Sequence, residues 1–536
     1  MMNLDSNHYP YASRRSVVYA KRGMVATAQP LAAQAGLQVL QAGGNAIDAA
    51  IAAAAALSVV EPTANGIGGD AFALIWHGGT LHGLNASGAA PQRISLAALK
   101  EAGHTSMPKY GALPVTVPGT PGAWASMAER FGKLPLTQSM AGAIALAQDG
   151  FPVSPMVAVA WEAAHKNFLN ELKAGHFQPW FDTFAAEGRA PRAGEIWRSP
   201  GHAQTLQSIA SDNAASFYRG ALAEKIAACV QGAGGYLDVA DLAAYQPQWV
   251  DPISVNYRGY DVWEIPPNGH GLVALMALNI LKGFDFSERD TVLTHHRQIE
   301  AIKLAFADGH AHIAEASAMR VSVKDLLSEA YADERRRLIG SRATLPVAGE
   351  PPRGGTVYLS TADSEGNMVS LIQSNYMGFG SGLVVPGTGI ALHNRGNNFT
   401  LDADHPNCLA PGKRPYHTII PGFLSKDGTA VGPFGVMGGF MQPQGHVQMV
   451  MNTVDFALNP QAALDAPRWE WLQGNKVNLE HTAPEHLFRS LSALGHEVTW
   501  SGNQLGFGRG QIIWRDAQGV LCGGTEPRSD GSIAAW

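Results

Sequence analysis

The sequence predicts a large, compact globule of mixed helices and strands, and three observations support that class. Apolar residues make up 46% of the 536 residues and the net charge is only -6, which excludes a disordered chain. Charged residues make up 15%, against roughly 25% in an average soluble domain, so much of the chain belongs to an interior. Helical and strand periodicities alternate between turn signals such as Asn65-Gly66 and Pro118-Gly119.

Composition also excludes several kinds of partner. The 38 basic residues do not outnumber the 44 acidic ones, so we expect no nucleic acid partner. The longest apolar run, 49–60, is too short to span a bilayer, so we expect no membrane partner either. Cys229, Cys408 and Cys522 lie too far apart for a zinc motif or a disulfide framework. With no apolar core of a signal peptide near the start, these features predict a cytoplasmic protein.

Two helices are predicted near the beginning. Apolar residues recur at helical spacing over 30–42, and the glycine pair at 43–44 ends that segment. Asn45 then has the position of an N-cap, with Asp48 three residues later, before an alanine-rich run. Such a run lets another backbone approach closely, so we expect this second helix to be buried.

A linker followed by a hairpin is predicted in the middle of the chain. Residues 344–355, TLPVAGEPPRGG, combine prolines and glycines without apolar periodicity, as is typical of a linker. Next come a β-rich run at 356–362, a glycine-containing turn at 363–367 and a second β-rich run at 368–374. The glycine-rich tract at 378–389 resembles a tight loop that approaches a ligand.

The Gly354-Gly355-Thr356 step offers a specific chemistry. If the Thr356 hydroxyl attacks the Gly355 carbonyl, an N-to-O acyl shift followed by hydrolysis cuts the chain there. Thr356 then carries a free α-amine, which titrates near pH 7.7–8.0 and can accept the proton of its own hydroxyl. Taken alone, such a step before a strand is most often a plain turn.

Further segments form a pattern along nearly the whole chain. They are GMVATAQPLAAQAGLQVLQAGGNAIDAAIAAAAALSVVEPTANGIGGDAF (23–72), PVTVPGTPGAW (114–124), RFGKLPL (130–136), LAQDGFPV (146–153), FYRGALAEKIA (217–227), YRGYDVWEIPPNGHG (257–271), TVYLSTAD (356–363), PGKRP (411–415), GGF (438–440), LNPQAALDAPRWEW (458–471) and TEPRSDG (525–531). Many motifs in one order are more specific than any single motif. In this set the chain resembles the γ-glutamyltransferase family of N-terminal-nucleophile hydrolases.

The resemblance implies an α+β fold, a four-layer αββα sandwich formed by a large and a small chain from one self-cleaved precursor. The large chain would be residues 1–355 and the small chain residues 356–536, together one intertwined unit. The two chains would associate as a heterodimer, or as a dimer of such heterodimers.

The resemblance also implies roles for particular residues. The family's nucleophile falls on Thr356, and its second hydroxyl, beside the new α-amine, falls on Ser374. Gly438 and Gly439 match the loop whose backbone N–H groups form an oxyanion hole, where donors stabilise charge in the transition state. The alternative for the glycine pair is a plain turn.

The substrate end departs from the family pattern. Family members hold an α-carboxylate with an arginine and two serines, and an α-ammonium with an acidic residue. The positions that would line this end of the site carry Ser87, Tyr376, Arg395, Asn398, His417 and Thr418. Ser87 replaces the arginine, and Asn398 offers a dipole where an ammonium needs an anion. The two charged residues that would bind the α-carboxylate and the α-ammonium of a γ-glutamyl group are therefore missing.

The replaced residues favour a small anionic amide as substrate. Arg395 would hold a carboxylate, with His417 as a ring donor, Tyr376 narrowing the pocket and the amide carbonyl over Thr356. This pattern is similar to the oxamate amidohydrolase branch, which hydrolyses oxamate to oxalate and ammonia. The alternative for Arg395 is a structural or surface ion pair.

Other functions stay open at this point. One is a γ-glutamyl hydrolase or transferase, another a cephalosporin-acylase-like amidase with a rebuilt pocket. A third is a non-catalytic family member that only binds a ligand. We expect no cofactor, because one residue supplies both nucleophile and base, and no metal. The histidines at 295–296, 310 and 312 show no metal-binding spacing and are interpreted as core or solvated side chains.

Overall fold

Two seven-stranded antiparallel sheets form the centre of the computed structural model, which describes residues 15–345 and 355–536. Strands and helices are numbered in chain order. The first sheet consists, in spatial order, of β19 (Ser532–Ala535), β2 (Gly23–Thr27), β10 (Gly355–Asp363), β11 (Met368–Tyr376), β3 (Asp70–His77), β4 (Thr80–Ala86) and β7 (Gln248–Val250). The second consists of β1 (Val18–Ala20), β18 (Leu521–Thr525), β17 (Arg509–Arg515), β13 (Thr429–Met437), β12 (Gly422–Lys426), β9 (Tyr260–Glu264) and β8 (Ile253–Tyr257).

Helices cover the outer face of each sheet. The helices against the first sheet are α1 (Pro30–Gln41), α2 (Ala46–Val60) and α4 (Thr120–Phe131), and those against the second are α13 (Gly271–Leu281) and α17 (Met441–Val454). Between these helix layers, β10 packs face to face on β13 and β17. The layers therefore form the αββα sandwich that the family resemblance implied.

Smaller elements surround the sandwich. The remaining helices are α3 (Leu96–Glu101), α5 (Leu136–Ser139), α6 (Ala141–Asp149), α7 (Pro155–Glu171), α8 (Gln178–Phe184), α9 (Pro200–Asp212), α10 (Ala215–Arg219), α11 (Ala221–Gly232), α12 (Val239–Ala244), α14 (Val292–His312), α15 (Val323–Leu326), α16 (Glu329–Arg336), α18 (Pro460–Asp465) and α19 (Glu485–Ala493). Two minor sheets pair β5 (Phe151–Pro152) with β6 (Ile196–Trp197), and β14 (Trp469–Gln473), β15 (Lys476–Glu480) and β16 (Glu497–Ser501). Within the described ranges, none of these helices has the length and apolarity that a bilayer span requires.

The predicted helices α1 and α2 are confirmed. Asn45 caps α2 through a reciprocal capping box with Asp48, as the residue types predicted. All fifteen residues of α2 are buried. A side chain at Gly36 of α1 would begin only 3.0 Å from the Ala49 carbonyl oxygen, so the small residues allow the two helices to pack closely.

The predicted hairpin is also confirmed, as β10 and β11. Asp363 fixes its turn by accepting hydrogen bonds from the backbone N–H groups of Glu365 and Asn367. The second carboxylate oxygen accepts from Ala46 N at 2.9 Å, so the hairpin tip also binds the first turn of α2. The predicted linker lies largely outside the described residues, which exclude 346–354 and therefore Gly354.

Strands from before and after Gly355 are interleaved in both sheets. In the first sheet β10 lies between β2 and β11, and β19 pairs with the other edge of β2. In the second sheet β18 pairs with β1, and β12 pairs with β9. Pairing of β10 with β2 covers only Leu359 to Asp363, so Thr356 has its strand partner on the β11 side.

The glycine-rich tract at 378–389 packs against protein. A side chain at Gly380 would lie 2.4 Å from the Leu392 carbonyl oxygen, and one at Gly389 would lie 2.0 Å from His202 Nδ1. Both glycines have positive φ, at 79° and 72°. Turns and close packing therefore explain Gly380 and Gly389, and the approach of this tract to a ligand stays a prediction.

Candidate active site

Thr356 lies at the beginning of β10, beside a bulge in β11. Gly355 pairs with Tyr376 and Val357 pairs with Gln373, so two residues of β11 lie opposite Thr356. Ser374 continues the regular register that pairs Val357 with Gln373, and the Thr356 and Ser374 hydroxyl oxygens lie 3.0 Å apart in a buried environment. The two hydroxyl groups to which the resemblance assigns roles are therefore in direct contact.

Tyr376 connects this hydroxyl pair to the predicted carboxylate site. Its backbone N–H donates to Ser374 Oγ at 2.8 Å, and its φ of 75° turns the chain sharply at the end of β11. The phenol hydroxyl donates to Asn398 Oδ1 at 2.6 Å. The guanidinium carbon of Arg395 lies 4.4 Å from the centre of the phenol ring, within the range of a cation–π contact.

Arg395 is a buried cation, and some of its N–H donors are not used within the described chain. Its side chain is 0% exposed, and Nη1 donates to Thr418 Oγ1 at 2.7 Å. Nε and Nη2 have no hydrogen-bond partner in the described chain. Burial lowers the pKa of Arg395 to about 10, which still leaves the guanidinium protonated at neutral pH. The alternative considered from the sequence was a structural or surface ion pair. Burial excludes the surface pair, and Asp70 is the buried acidic residue whose charge acts on Arg395.

His417 is engaged differently from the prediction. Its Nδ1 accepts from Ile419 N at 3.4 Å, and its Nε2 lies 2.9 Å from Asp70 Oδ2. Burial lowers the pKa of His417 well below its usual value, so the neutral ring donates from Nε2 to Asp70. The N–H expected to face a substrate is therefore used to orient a carboxylate.

Asp70 is the residue that sequence reasoning missed. It begins β3, pairs with Ser374 across the sheet, and accepts from Gly119 N at 3.2 Å through Oδ1. Burial raises the pKa of Asp70 to about 7, against the opposing effect of the Arg395 charge. The available signal was an acidic residue at the start of a strand whose next five residues are apolar and buried.

Gly438 and Gly439 connect the end of β13 to the first turn of α17. Their φ values of 139° and 60° lie in the region that favours glycine. Their carbonyl groups accept from Met441 N and Gln442 N. Neither glycine N–H donates to another described residue, so both donors are available at a helix N-terminus.

Ser87 occupies the position of the family's carboxylate-binding arginine. Its hydroxyl donates to Asn85 Oδ1 at 2.7 Å, and its carbonyl oxygen accepts from Arg414 Nε at 3.0 Å. Ser87 is fully buried. The hydroxyl at this position is therefore bonded within the protein.

The histidine pairs form internal contacts. His296 Nδ1 lies 2.8 Å from His496 Nε2, and these two approach Glu300 in the described part of the chain closely enough to suggest a metal cluster. However, Glu300 accepts from the buried Lys303 ammonium at 2.6 Å and from Thr344. A cation there would have to displace Lys303, so the residues present do not suit a metal ion.

Comparisons with known proteins agree with this architecture. The Gamma-glutamyltranspeptidase family model matches residues 32–536. The oxamate amidohydrolase proenzyme of Klebsiella pneumoniae is 36% identical over 96% of this chain and 98% of its own length. The glutathione hydrolase-like YwrD proenzyme of Bacillus subtilis is 35% identical over 97% of this chain and 99% of its own.

One solved structure is more similar still. The cephalosporin acylase from Bacillus halodurans is 62% identical, with a TM-score of 0.97 over 100% of this chain and 99% of its own. These relatives are hydrolases, and the two sequence relatives are proenzymes. The chain therefore belongs to the gamma-glutamyltranspeptidase family of N-terminal-nucleophile hydrolases.

Proposed function

We propose that this chain is a self-processing amidohydrolase whose substrate carries a carboxylate on its acyl group, with oxamate as the leading candidate. The observation that carries the proposal is the buried Arg395 guanidinium, whose Nε and Nη2 have no partner in the described chain. A buried donor left unpaired costs about 1–3 kcal/mol, and more when it is charged. A bound carboxylate would satisfy both groups in the side-on, bidentate geometry that guanidinium favours.

Maturation begins at Thr356 in this proposal. Its hydroxyl oxygen adds to the Gly355 carbonyl carbon, the peptide C–N bond breaks, and the acyl group moves to oxygen. Water then hydrolyses the ester and leaves Thr356 with a free α-amine. The contact with Ser374 at 3.0 Å supports this role, because that hydroxyl can orient the nucleophile. The resulting chains, 1–355 and 356–536, would stay together through their shared sheets.

Substrate binding uses the groups around Arg395. The carboxylate lies against Arg395 Nε and Nη2, while Thr418 and the Tyr376 ring hold the guanidinium in place. Asn398 adds a donor, because its Oδ1 accepts from Tyr376 and its Nδ2 has no partner in the described chain. Tyr376 joins the two parts of the site, because its ring lies against the Arg395 guanidinium and its backbone N–H donates to Ser374 Oγ. This shared residue supports a short acyl group such as that of oxamate.

Turnover of the bound substrate uses Thr356 as nucleophile and the glycine pair as oxyanion hole in this proposal. The α-amine of Thr356 accepts the hydroxyl proton as Oγ1 attacks the amide carbonyl, and the N–H groups of Gly438 and Gly439 stabilise the oxyanion. The C–N bond breaks, the amine returns the proton, and ammonia leaves an acyl ester on Thr356. Water, deprotonated by the same amine, cleaves the ester and releases oxalate.

A second candidate is the removal of an acyl group from a cephalosporin. It is favoured by the 62% identity with the Bacillus halodurans cephalosporin acylase over the whole chain. Arg395 would serve here too if the acyl group ends in a carboxylate. A γ-glutamyl substrate is disfavoured because its α-ammonium would meet the amide of Asn398, and Asp70 is already bonded to His417.

Assays on the processed protein separate these candidates. We expect ammonia release from oxamate, and no release of aniline from a γ-glutamyl anilide. Release of the free amine from carboxyacyl-cephalosporins, with no turnover of oxamate, would replace the first candidate by the second. Transfer from the γ-glutamyl anilide to a dipeptide would overturn the assignment to carboxylate-bearing acyl groups. Complete inactivity of a processed protein would favour a binding role.

A further inference from the structure

Gln442 lies in the first turn of α17, three residues after Gly439, with a side chain that is 0% exposed. Its Oε1 accepts a hydrogen bond from Ile420 N at 2.9 Å. Its Nε2 has no hydrogen-bond partner in the described chain. Gln442 is therefore a buried amide with one end bonded and one donor unused.

The bond to Ile420 fixes which end of the amide is unused. A flipped amide would place the Nε2 hydrogens against the Ile420 N–H, which is also a donor, so this orientation is set by the hydrogen-bond network. A neighbouring glutamine shows the contrast. Gln444 donates to the Phe440 and Trp471 carbonyl oxygens and accepts from Trp471 N, so both of its ends are satisfied within the protein.

Gln442 connects the two halves of the candidate site. Ile420 follows Thr418 by two residues, and Thr418 holds Arg395. At the other end, the Gln442 backbone N–H donates to the Gly439 carbonyl oxygen at 3.2 Å. The side chain thus lies between the segment that holds the cation and the glycine pair at the start of α17.

The unused atoms of these residues share one polarity. In Asn398 and in Gln442 alike, a protein donor occupies the amide oxygen and leaves the NH₂ group without a partner in the described chain. Arg395 adds the Nε and Nη2 donors. A ligand that satisfies them must supply several acceptor oxygens and needs no donor at this end.

We propose that Gln442 Nε2 donates to an oxygen of the substrate carboxylate that Arg395 holds, and that Gln442 is a specificity-determining residue for acyl groups ending in a carboxylate. This inference rests on the proposed function. An acyl group that carried an ammonium at this end would meet the donors of Arg395, Asn398 and Gln442 and would be rejected. Rejection of that kind distinguishes oxalate-like groups from γ-glutamyl groups.

Two variants of the processed protein test the proposal. Gln442→Met removes the donor with little change in length, and Gln442→Glu replaces the amide by an anion. We expect KM for oxamate and the inhibition constant of oxalate to rise together by roughly 10- to 100-fold, as for one hydrogen bond to a charged group, while kcat changes much less. The Gln444→Met variant is the matched control, because it should lower the melting temperature and leave both constants unchanged.

A binding measurement keeps this test separate from the test of turnover. Oxalate, malonate and glutarate are added to the parent and to both Gln442 variants, and the melting temperature is recorded. Stabilisation of the parent by at least one of these dianions, lost in both variants, supports the role of Gln442 even if oxamate is not hydrolysed. Equal stabilisation of parent and variants, unchanged KM in either folded variant, or no stabilisation of the parent would overturn the proposal.

Discussion

The hydroxyl oxygens of Thr356 and Ser374 lie 3.0 Å apart across adjacent strands, at a bulge that places two residues of β11 opposite Thr356. The register of the hairpin, which runs from Ala362 opposite Met368 to Val357 opposite Gln373, places Ser374 across from Thr356. The bulge inserts Asn375 on β11, so that Gly355 pairs with Tyr376. The hairpin therefore brings the proposed nucleophile and its hydroxyl partner together, and the bulge shifts the pairing only beyond them.

Replacement of the proposed nucleophile should abolish maturation. The parent chain of 56.7 kDa should separate on a denaturing gel into fragments of about 37 and 19 kDa, in proportion to the two segments that meet at Thr356. Thr356→Ala should give one uncut band. Thr361→Val is the matched control, since Thr361 lies on the same strand and donates to Ala46 O at 2.6 Å, away from the cut. A cleaved Thr356→Ala protein would refute the assignment.

Loss of the buried Arg395 cation should weaken substrate binding. We expect Arg395→Met to raise KM for oxamate by roughly 100-fold, because a bidentate, charge-assisted contact is removed. Steady-state kinetics on the folded, processed protein measures the change. Arg468→Met is the control: Arg468 is also buried but pairs with Glu526 at 2.8 Å, so its loss should cost stability, about 3–5 kcal/mol, and leave KM unchanged. An Arg395→Met protein with unaltered KM would remove the basis of the proposed function.

The Asp70 carboxyl should make stability depend on pH. Burial raises the pKa of Asp70 from 3.8 to about 7, so the folded state keeps a proton that the unfolded state releases above about pH 4. Stability from this group is present below that pH and is lost as the pH rises towards 7, by up to roughly 4 kcal/mol. Urea unfolding of the parent and of Asp70→Asn at pH 4 to 8 measures it. The difference between the two proteins should change over pH 4–7 and level off above; a constant difference would contradict the prediction.

The capping box of α2 should contribute measurably to the free energy of unfolding. Asn45→Ala removes the side-chain acceptor for Ile47 N and Asp48 N and the donor to Phe131 O. We expect the unfolding free energy to fall by about 1–2 kcal/mol. Gln204→Ala, on the exposed surface of α9, should change it by less than about 0.5 kcal/mol. Equal effects of the two variants in urea unfolding would show that the cap contributes nothing.

Local features were predictable because their causes are local. The α2 cap and the β10–β11 hairpin follow from residues within a few positions of each other, and both occur where the sequence indicated. The Asp70–His417 contact joins residues 347 positions apart, one at the start of β3 and the other in the segment between β11 and β12, so no local pattern could reveal it. Gln442 was missed for a similar reason, because the Ile420 bond that fixes its amide is invisible in a helical pattern.

The incomplete pairing of β10 has a consequence for the terminus that self-cleavage would create. A new chain end usually frays, and a fraying end would carry its amine away from the hydroxyl it must serve. Here the strand is anchored from Leu359 onwards by neighbours on both sides, while Thr356 itself is held only from the β11 side. Thr356 is buried, so cleavage would produce an end that stays tethered in the sheet, and a single cut would generate the base already beside the hydroxyl that it serves.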